Sequence, residues 1–168
     1  MAAGATYEPI ATTTLGSSTA SVTFSSISGS YTDLVLVFNG GITTADYAIR
    51  IRFNGDSGSN YSRTAVAGVS NQALSDRASN NTGLNVFAGY AGIPANTLET
   101  VGIAHIQNYS NSTTYKTVLS RASNASRSTE AQVGLWRSTS AITSIVIDTG
   151  SGNLYAGSTF TLYGIAAA

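Results

Sequence analysis

The last third of the chain, Val133 to Ile165, restricts the choice of fold more than any other stretch. It holds three short apolar runs, Val133 to Trp136, Ile142 to Ile147 and Phe160 to Ile165. Between the last two lies the polar, glycine-rich segment Thr149 to Asn153. Runs of this length, rich in Ile, Val, Phe and Tyr and punctuated by Gly, Ser and Asn, predict antiparallel strands. The third run is apolar on both faces, so it is expected to zip into a sheet rather than lie free at its margin.

The remainder of the chain follows the same rule. Ala20 to Phe24 alternates strictly, placing Val22 and Phe24 inward, and Asp33 to Phe38 is apolar on both faces and predicts a central strand. Tyr47 to Phe53 sets Tyr47, Ile49, Ile51 and Phe53 on one face. Arg50 and Arg52 then share the other, about 7 Å apart along the strand. They are placed either to clamp an anion or a neighbouring subunit's carboxylate, or to sit solvated on an outer face. Asn54-Gly55-Asp56 predicts a hairpin-type turn. Val66 to Val69 and Leu84 to Tyr90 read as strands, with Ser70 to Gly83 as a polar loop holding at most one helical turn at Asn71 to Arg77. Leu98 to Ile106 and Tyr115 to Arg121 flank turn formers and predict a hairpin. Ser123 to Thr129 reads as another polar loop. Nine or ten strands without a long helix predict an all-β fold, two antiparallel sheets packed as a β-sandwich, in the form of a jelly roll.

Two regions are expected: residues 1–16 as an extended N-terminal arm and 17–168 as one β-sandwich domain. Glu8-Pro9 blocks helix, Thr12 to Thr14 favours extended chain, and only Tyr7, Ile10 and Leu15 are there to bury. Such a segment either docks on a neighbouring subunit, through Tyr7, Pro9 and Ile10, or frays as an edge strand. The arm has no apolar core of seven or more residues and no basic residue, so neither a secretory leader nor a membrane span is expected.

Charge narrows the partners. The 168 residues include 8 Lys plus Arg and 8 Asp plus Glu, for zero formal net charge, and only 10% are charged, against about a quarter in ordinary domains. An uncharged surface lacks the repulsion that keeps proteins dispersed, which suits a permanently assembled particle. It does not suit nucleic acid, whose phosphates require clustered cations. There is no cysteine and one histidine, His105, poor material for a transition-metal centre. No G-x-S-x-G elbow accompanies His105, and no acidic pair is spaced to suggest glycoside hydrolysis. No catalytic residue, cofactor or metal ligand is expected, and Asp56 to Asn60 reads as a plain turn rather than a calcium loop. Tyr61, Tyr90, Tyr109 and Tyr155 lie at or near predicted loops. Exposed, they would stack on sugar rings or anchor a subunit contact; buried, they are hairpin tyrosines with wet hydroxyls.

The segments YTDLVLVFNG, IRFNGDSGSNYS, GLWRSTSAITSIVI and AGSTFTLYGI resemble small virion structural proteins of tailed bacteriophages. The resemblance runs from Thr19 to Ile165 and is most specific at its close, where a Trp-bearing strand and an Ile-rich strand precede G-S-x-x-x-L-Y-G. It implies a β-sandwich in a virion and brings no catalytic residues. The expectation it supports is a capsid decoration, or cement, protein on the outer surface of the phage head, bridging major capsid subunits as a homotrimer. The arm and the pair Arg50 and Arg52 would make the contacts, with neither nucleic acid nor membrane as partner. The alternative is a tail or fibre module that binds host glycan through Tyr61, Tyr90, Tyr109 and Tyr155.

Overall fold

Twelve strands account for nearly all the regular structure in the computed structural model, which describes residues 6–89 and 91–166. In chain order they are β1 (Tyr7–Thr14), β2 (Ser21–Phe24), β3 (Asp33–Gly40), β4 (Ile49–Phe53), β5 (Tyr61–Val69) and β6 (Gln72–Asn81). There follow β7 (Leu84–Phe87), β8 (Thr100–Gln107), β9 (Lys116–Asn124), β10 (Ser128–Trp136), β11 (Ile145–Thr149) and β12 (Thr159–Ile165). They form an eight-stranded sheet in the order β1-β12-β3-β8-β9-β10-β5-β6 and a four-stranded sheet in the order β2-β11-β4-β7. Every pairing of named strands is antiparallel.

The core forms where the alternating apolar residues of the two sheets meet. Rows of the small sheet such as Val22, Ile147, Ile51 and Leu84 face Leu34, Leu36 and Phe38 of β3, Ala104 and Ile106 of β8, and Phe160 and Leu162 of β12. Aromatic rings fill both ends. Phe38 stacks on Phe87 and Phe160 at 5.5 and 5.1 Å, and Trp136 lies 5.4 Å from Phe53 and 6.3 Å from Tyr61. Offset rings at these separations add about 0.5–1.5 kcal/mol each beyond the area they bury. The sheets approach closely where the large one is bare. A methyl group on Gly134 would meet Leu84 at 2.4 Å, and one on Gly102 would meet the Phe87 ring at 2.3 Å.

The type I′ turn at Asn54-Gly55, with φ of 53° and 70°, does not join neighbours in one sheet. It carries the chain from β4 in the small sheet to β5 in the large one. Asp56 fixes this corner: its carboxylate accepts hydrogen bonds from Gly58 N, Asn60 Nδ2 and Trp136 Nε1 at 2.8, 2.9 and 2.7 Å.

The central position of β3, the inward Val22 and Phe24, the interior position of β12 and the β8–β9 hairpin all match the expectation. Four segments differ. Residues 70–83 are not a loop with a helical turn: Gln72–Asn81 is the ten-residue edge strand β6. Its polar composition reflects one neighbour instead of two, and its Asp76 is held by Arg63 of β5. Nor is Ser123 to Thr129 a loop, because β9 and β10 run through to Asn124 and from Ser128 around a three-residue turn closed by Arg127 N to Asn124 O at 3.0 Å. The run from Ile142 becomes strand only at Ile145. Finally, the segment expected as an extended arm takes its alternative form over Tyr7–Thr14, an edge strand paired with β12 and bulged between Pro9 and Ala11. Hydrogen bonds between the hydroxyls of Thr12 and Thr161 and of Thr14 and Thr159 fasten its outer face. Residues 1–5 lie outside the described residues.

Because Gly102 underlies the Phe87 ring, Gly102→Ala is expected to lower unfolding stability by about 1–3 kcal/mol, the usual cost of overpacking a filled core. Urea denaturation of the two proteins measures it; equal midpoints would show that the ring yields freely.

Candidate interaction face

Residues directly opposite one another in an antiparallel pair point to the same side of the sheet. One row across the outer side of the large sheet therefore reads Val35, His105, Leu119, Val133 and Thr64. The next reads Val37, Ile103, Arg121, Ala131 and Val66, and a third holds Val101. No strand of the small sheet covers this side. Val66, Val101, Leu119 and Val133 are 43–59% exposed, as is Tyr7 at its margin. Single exposed aliphatics are ordinary, but several on contiguous strands of one face mark a contact surface. They border a shallow groove of about 650 Å³, whose lining includes Tyr7, Val66, Ile103, His105, Leu119 and Val133.

The aliphatic side chains of this face are interleaved with polar ones, among them Arg77 opposite Thr64, Thr117, Ser123 and Thr129. His105 Nε2 donates to Asp33 Oδ2 at 3.0 Å, while Asp33 Oδ1 accepts from Asn108 N at 2.6 Å. Arg121 is exposed and makes no ion pair among the described residues.

The β9–β10 hairpin is mixed on both sides: Val118, Ala122 and Trp136 join the core, but so do polar residues. Leu119 and Val133 point outward, whereas Lys116, Ser120, Asn124, Glu130 and Gln132 are buried on the inner side. Lys116 Nζ donates to Thr114 O at 2.8 Å and Thr139 O at 3.2 Å, and burial pushes its pKa down.

The residues singled out from sequence fall elsewhere. Arg50 and Arg52 do not present an open clamp: both guanidinium groups grip Asp148 on β11, Arg50 Nε at 2.7 Å from its Oδ1. That carboxylate is buried beneath them, so the pair is engaged within its own subunit. Tyr61 and Tyr109 are fully buried and their rings cannot stack on a sugar. Tyr61 Oη accepts from Phe53 N at 3.0 Å and donates to Asp56 O at 3.1 Å. Tyr109 Oη donates to Ser28 O and accepts from Tyr31 N at 3.3 Å. Tyr155 is half-buried beside the β11–β12 connection, where its N donates to Gly41 O at 3.0 Å. Tyr90 lies outside the described residues. Of the arm residues, Tyr7 is exposed with its ring edge-on to Tyr163 at 6.3 Å, Pro9 is exposed, and Ile10 is half-buried against the core at the bulge. Among the described residues, Tyr7 is the one sequence-derived contact residue that borders the groove.

The turn at Asp56 is a structural hub. Burial of the carboxylate works against its charge, but the hydrogen bonds from Trp136, Asn60 and Gly58 outweigh that and hold its pKa below the usual range. Among the described residues no three His, Asp or Glu side chains gather in a way that would hold a metal ion.

Compared with known protein families, the chain matches none. No curated protein matches it either. Among solved structures, a crystal structure of a protein of unknown function from Shewanella oneidensis MR-1 aligns with 96% of this chain and 71% of its own length, at 13% identity and a TM-score of 0.20. A likeness that low carries no argument about fold or function.

Burial raises the Tyr61 hydroxyl from 10.0 to about 12. Its contribution to stability is whole below pH 10 and is lost as the pH climbs toward 12, because the unfolded phenol ionises first. Tyr61→Phe is expected to cost about 1–2 kcal/mol at neutral pH, for the lost hydrogen bonds, and to flatten the alkaline loss. Urea midpoints followed from pH 9 upward, about one unit below the unfolded phenol's range, check both; an unchanged alkaline slope would assign that loss to other groups.

Proposed function

We propose that this chain is a structural subunit of a tailed-bacteriophage virion, a capsid decoration protein that sits on the outer surface of the head and bridges major capsid subunits as a trimer. The observation that carries the reading is the open face of the large sheet. A groove of about 650 Å³ is bordered by exposed aliphatic side chains, in a chain only 10% charged. Such a face is a liability to a freely dissolved protein and an asset to one that spends its life against neighbours. The work of such a subunit is mechanical. Contacts of a few kcal/mol become strong when many linked copies must separate together.

The fold is read as a jelly roll carrying additions. Taking β2, β3, β4, β5, β6, β7, β8 and β11 as its eight strands in chain order, the first pairs with the eighth and the third with the sixth in one sheet. The second pairs with the seventh, and the fourth with the fifth, in the other. Those are the pairings made by rolling one long hairpin over itself. The β9–β10 hairpin is then an insertion between β8 and β5, and β1 and β12 extend the sheet beyond β3. A jelly roll serves many functions, so the fold supports this reading without carrying it. The alternative of glycan binding through loop tyrosines has little to stand on, since the rings of Tyr61 and Tyr109 are inside the core.

Purified particles probed with antibody against the recombinant chain test the proposal. The expected result is surface labelling of heads at a copy number comparable with the major capsid protein. Absence from mature particles, or label confined to tails, would overturn it.

A further inference from the structure

Arg121 stands near the middle of the open face. The groove already described and two neighbouring ones, bordered by Gly68 and Ala73 on one side and by Val37 and Val101 on the other, all touch it. Across its row it is flanked by Ile103 and Ala131, and along its own strand by Leu119. Covering this face removes water from a guanidinium that has no carboxylate of its own. An unpaired charge in that position is costly, so whatever covers the face must bring an anion.

That requirement decides between two kinds of self-association. In a twofold, face-to-face dimer a central Arg121 lies near the axis and meets the Arg121 of the second copy, a like-charge contact that opposes closure. A heterologous contact, with the face of one copy against a different surface of the next, has no such conflict. The chain holds a complementary surface. Asp33, Asp46, Asp56, Asp76 and Asp148 are all engaged within the subunit by His105, Arg127, Trp136, Arg63 and the Arg50–Arg52 pair. Glu99 is exposed, held only by Ser126 Oγ at 3.2 Å, and its neighbour Leu98 is 47% exposed. Leu98 and Glu99 thus form an aliphatic side chain beside an accessible carboxylate, at the corner leading into β8. Glu8 is exposed too, but it pairs with Gly164 in register with Leu34 and so belongs to the opposite side of the sheet from Arg121.

We propose that the Leu98–Glu99 corner of one copy docks in the open apolar face of the next, with Glu99 paired to Arg121. A corner at the strand ends and a patch on the sheet face are different surfaces, so the contact is head-to-tail, and copies related by a closing rotation form a ring. The inference rests on reading the open face as a contact surface, and names what fills it: a second copy of this chain.

Light scattering on the purified chain at about 0.1 mM, where contacts of micromolar Kd are filled, tests it. The wild type is expected to form a closed oligomer. Arg121→Glu and Glu99→Arg are each expected to weaken association by at least about thirtyfold, the usual loss on breaking a desolvated charge pair. Both positions are exposed, and thermal unfolding confirms that the variants remain folded. The double variant is expected to assemble again, because it restores an opposite-charge pair at every interface of the ring. A monomeric wild type, an Arg121→Glu oligomer as tight as wild type, or a double variant that stays monomeric would each overturn the proposal. Rescue of Arg121→Glu by Glu8→Arg instead of Glu99→Arg would overturn it as well. These results concern the purified protein alone, whereas the virion reading stands or falls on particles, so either can fail without the other.

Discussion

A four-stranded sheet cannot cover an eight-stranded one, and that mismatch of area governs the rest of the molecule. The small sheet is drawn tightly onto the middle of the large one, Leu84 against Gly134 and Phe87 against Gly102. Beyond its edge the inner side of β5, β6 and β10 has less apolar material over it. Polar pairs take over there, with Arg63 held by Asp76 and by Gly89 O at 3.2 Å. The outer side of the large sheet has no cover of either kind among the described residues. Exposed aliphatic side chains, Val66, Val101, Leu119 and Val133, stand on that uncovered side.

Much of the strand content was legible because most segments obey twofold alternation. Ile49, Ile51 and Phe53 point inward as their spacing requires, and Asp33 to Phe38 is interior, as an apolar run with two buried faces must be. The misread segments have physical reasons. β6 is an edge strand whose polar residues find solvent or a salt bridge, so its composition resembles a loop. The contact surface was harder to find. Periodicity says that two sets of side chains point to opposite faces, but not which face is inside. In β9 and β10 the usual inference, apolar inward, inverts at Leu119 and Val133. The twofold spacing of Val101, Ile103 and His105 along β8 sets them on one face, and that was the available clue. The tyrosines misled because a turn residue can fold its ring back into the core, as Tyr61 and Tyr109 do to satisfy backbone groups nearby.

Electrostatics follows a similar economy. Asp148 binds Arg50 and Arg52 together, Asp56 ties the β4–β5 corner to Trp136, and Asp33 braces His105. Each joins segments distant in sequence, where a charged hydrogen bond is worth more than a neutral one. With the aspartates so engaged, little charge remains on the exterior. The few exposed ions left over then carry a disproportionate share of any choice between partners.

The edges of the sheets set a limit on how such a molecule can aggregate. β2 and β7 are four residues long, β1 is interrupted by Pro9 and its bulge, and β6 carries Asp76 and Arg77 and pairs irregularly near Tyr61. Short, kinked or charged margins are poor templates for recruiting further strands. Growth into endless ribbons is thereby discouraged, while stacking through the broad side stays open. A sticky face is tolerable only if stickiness has one direction, and blunted margins supply that restriction.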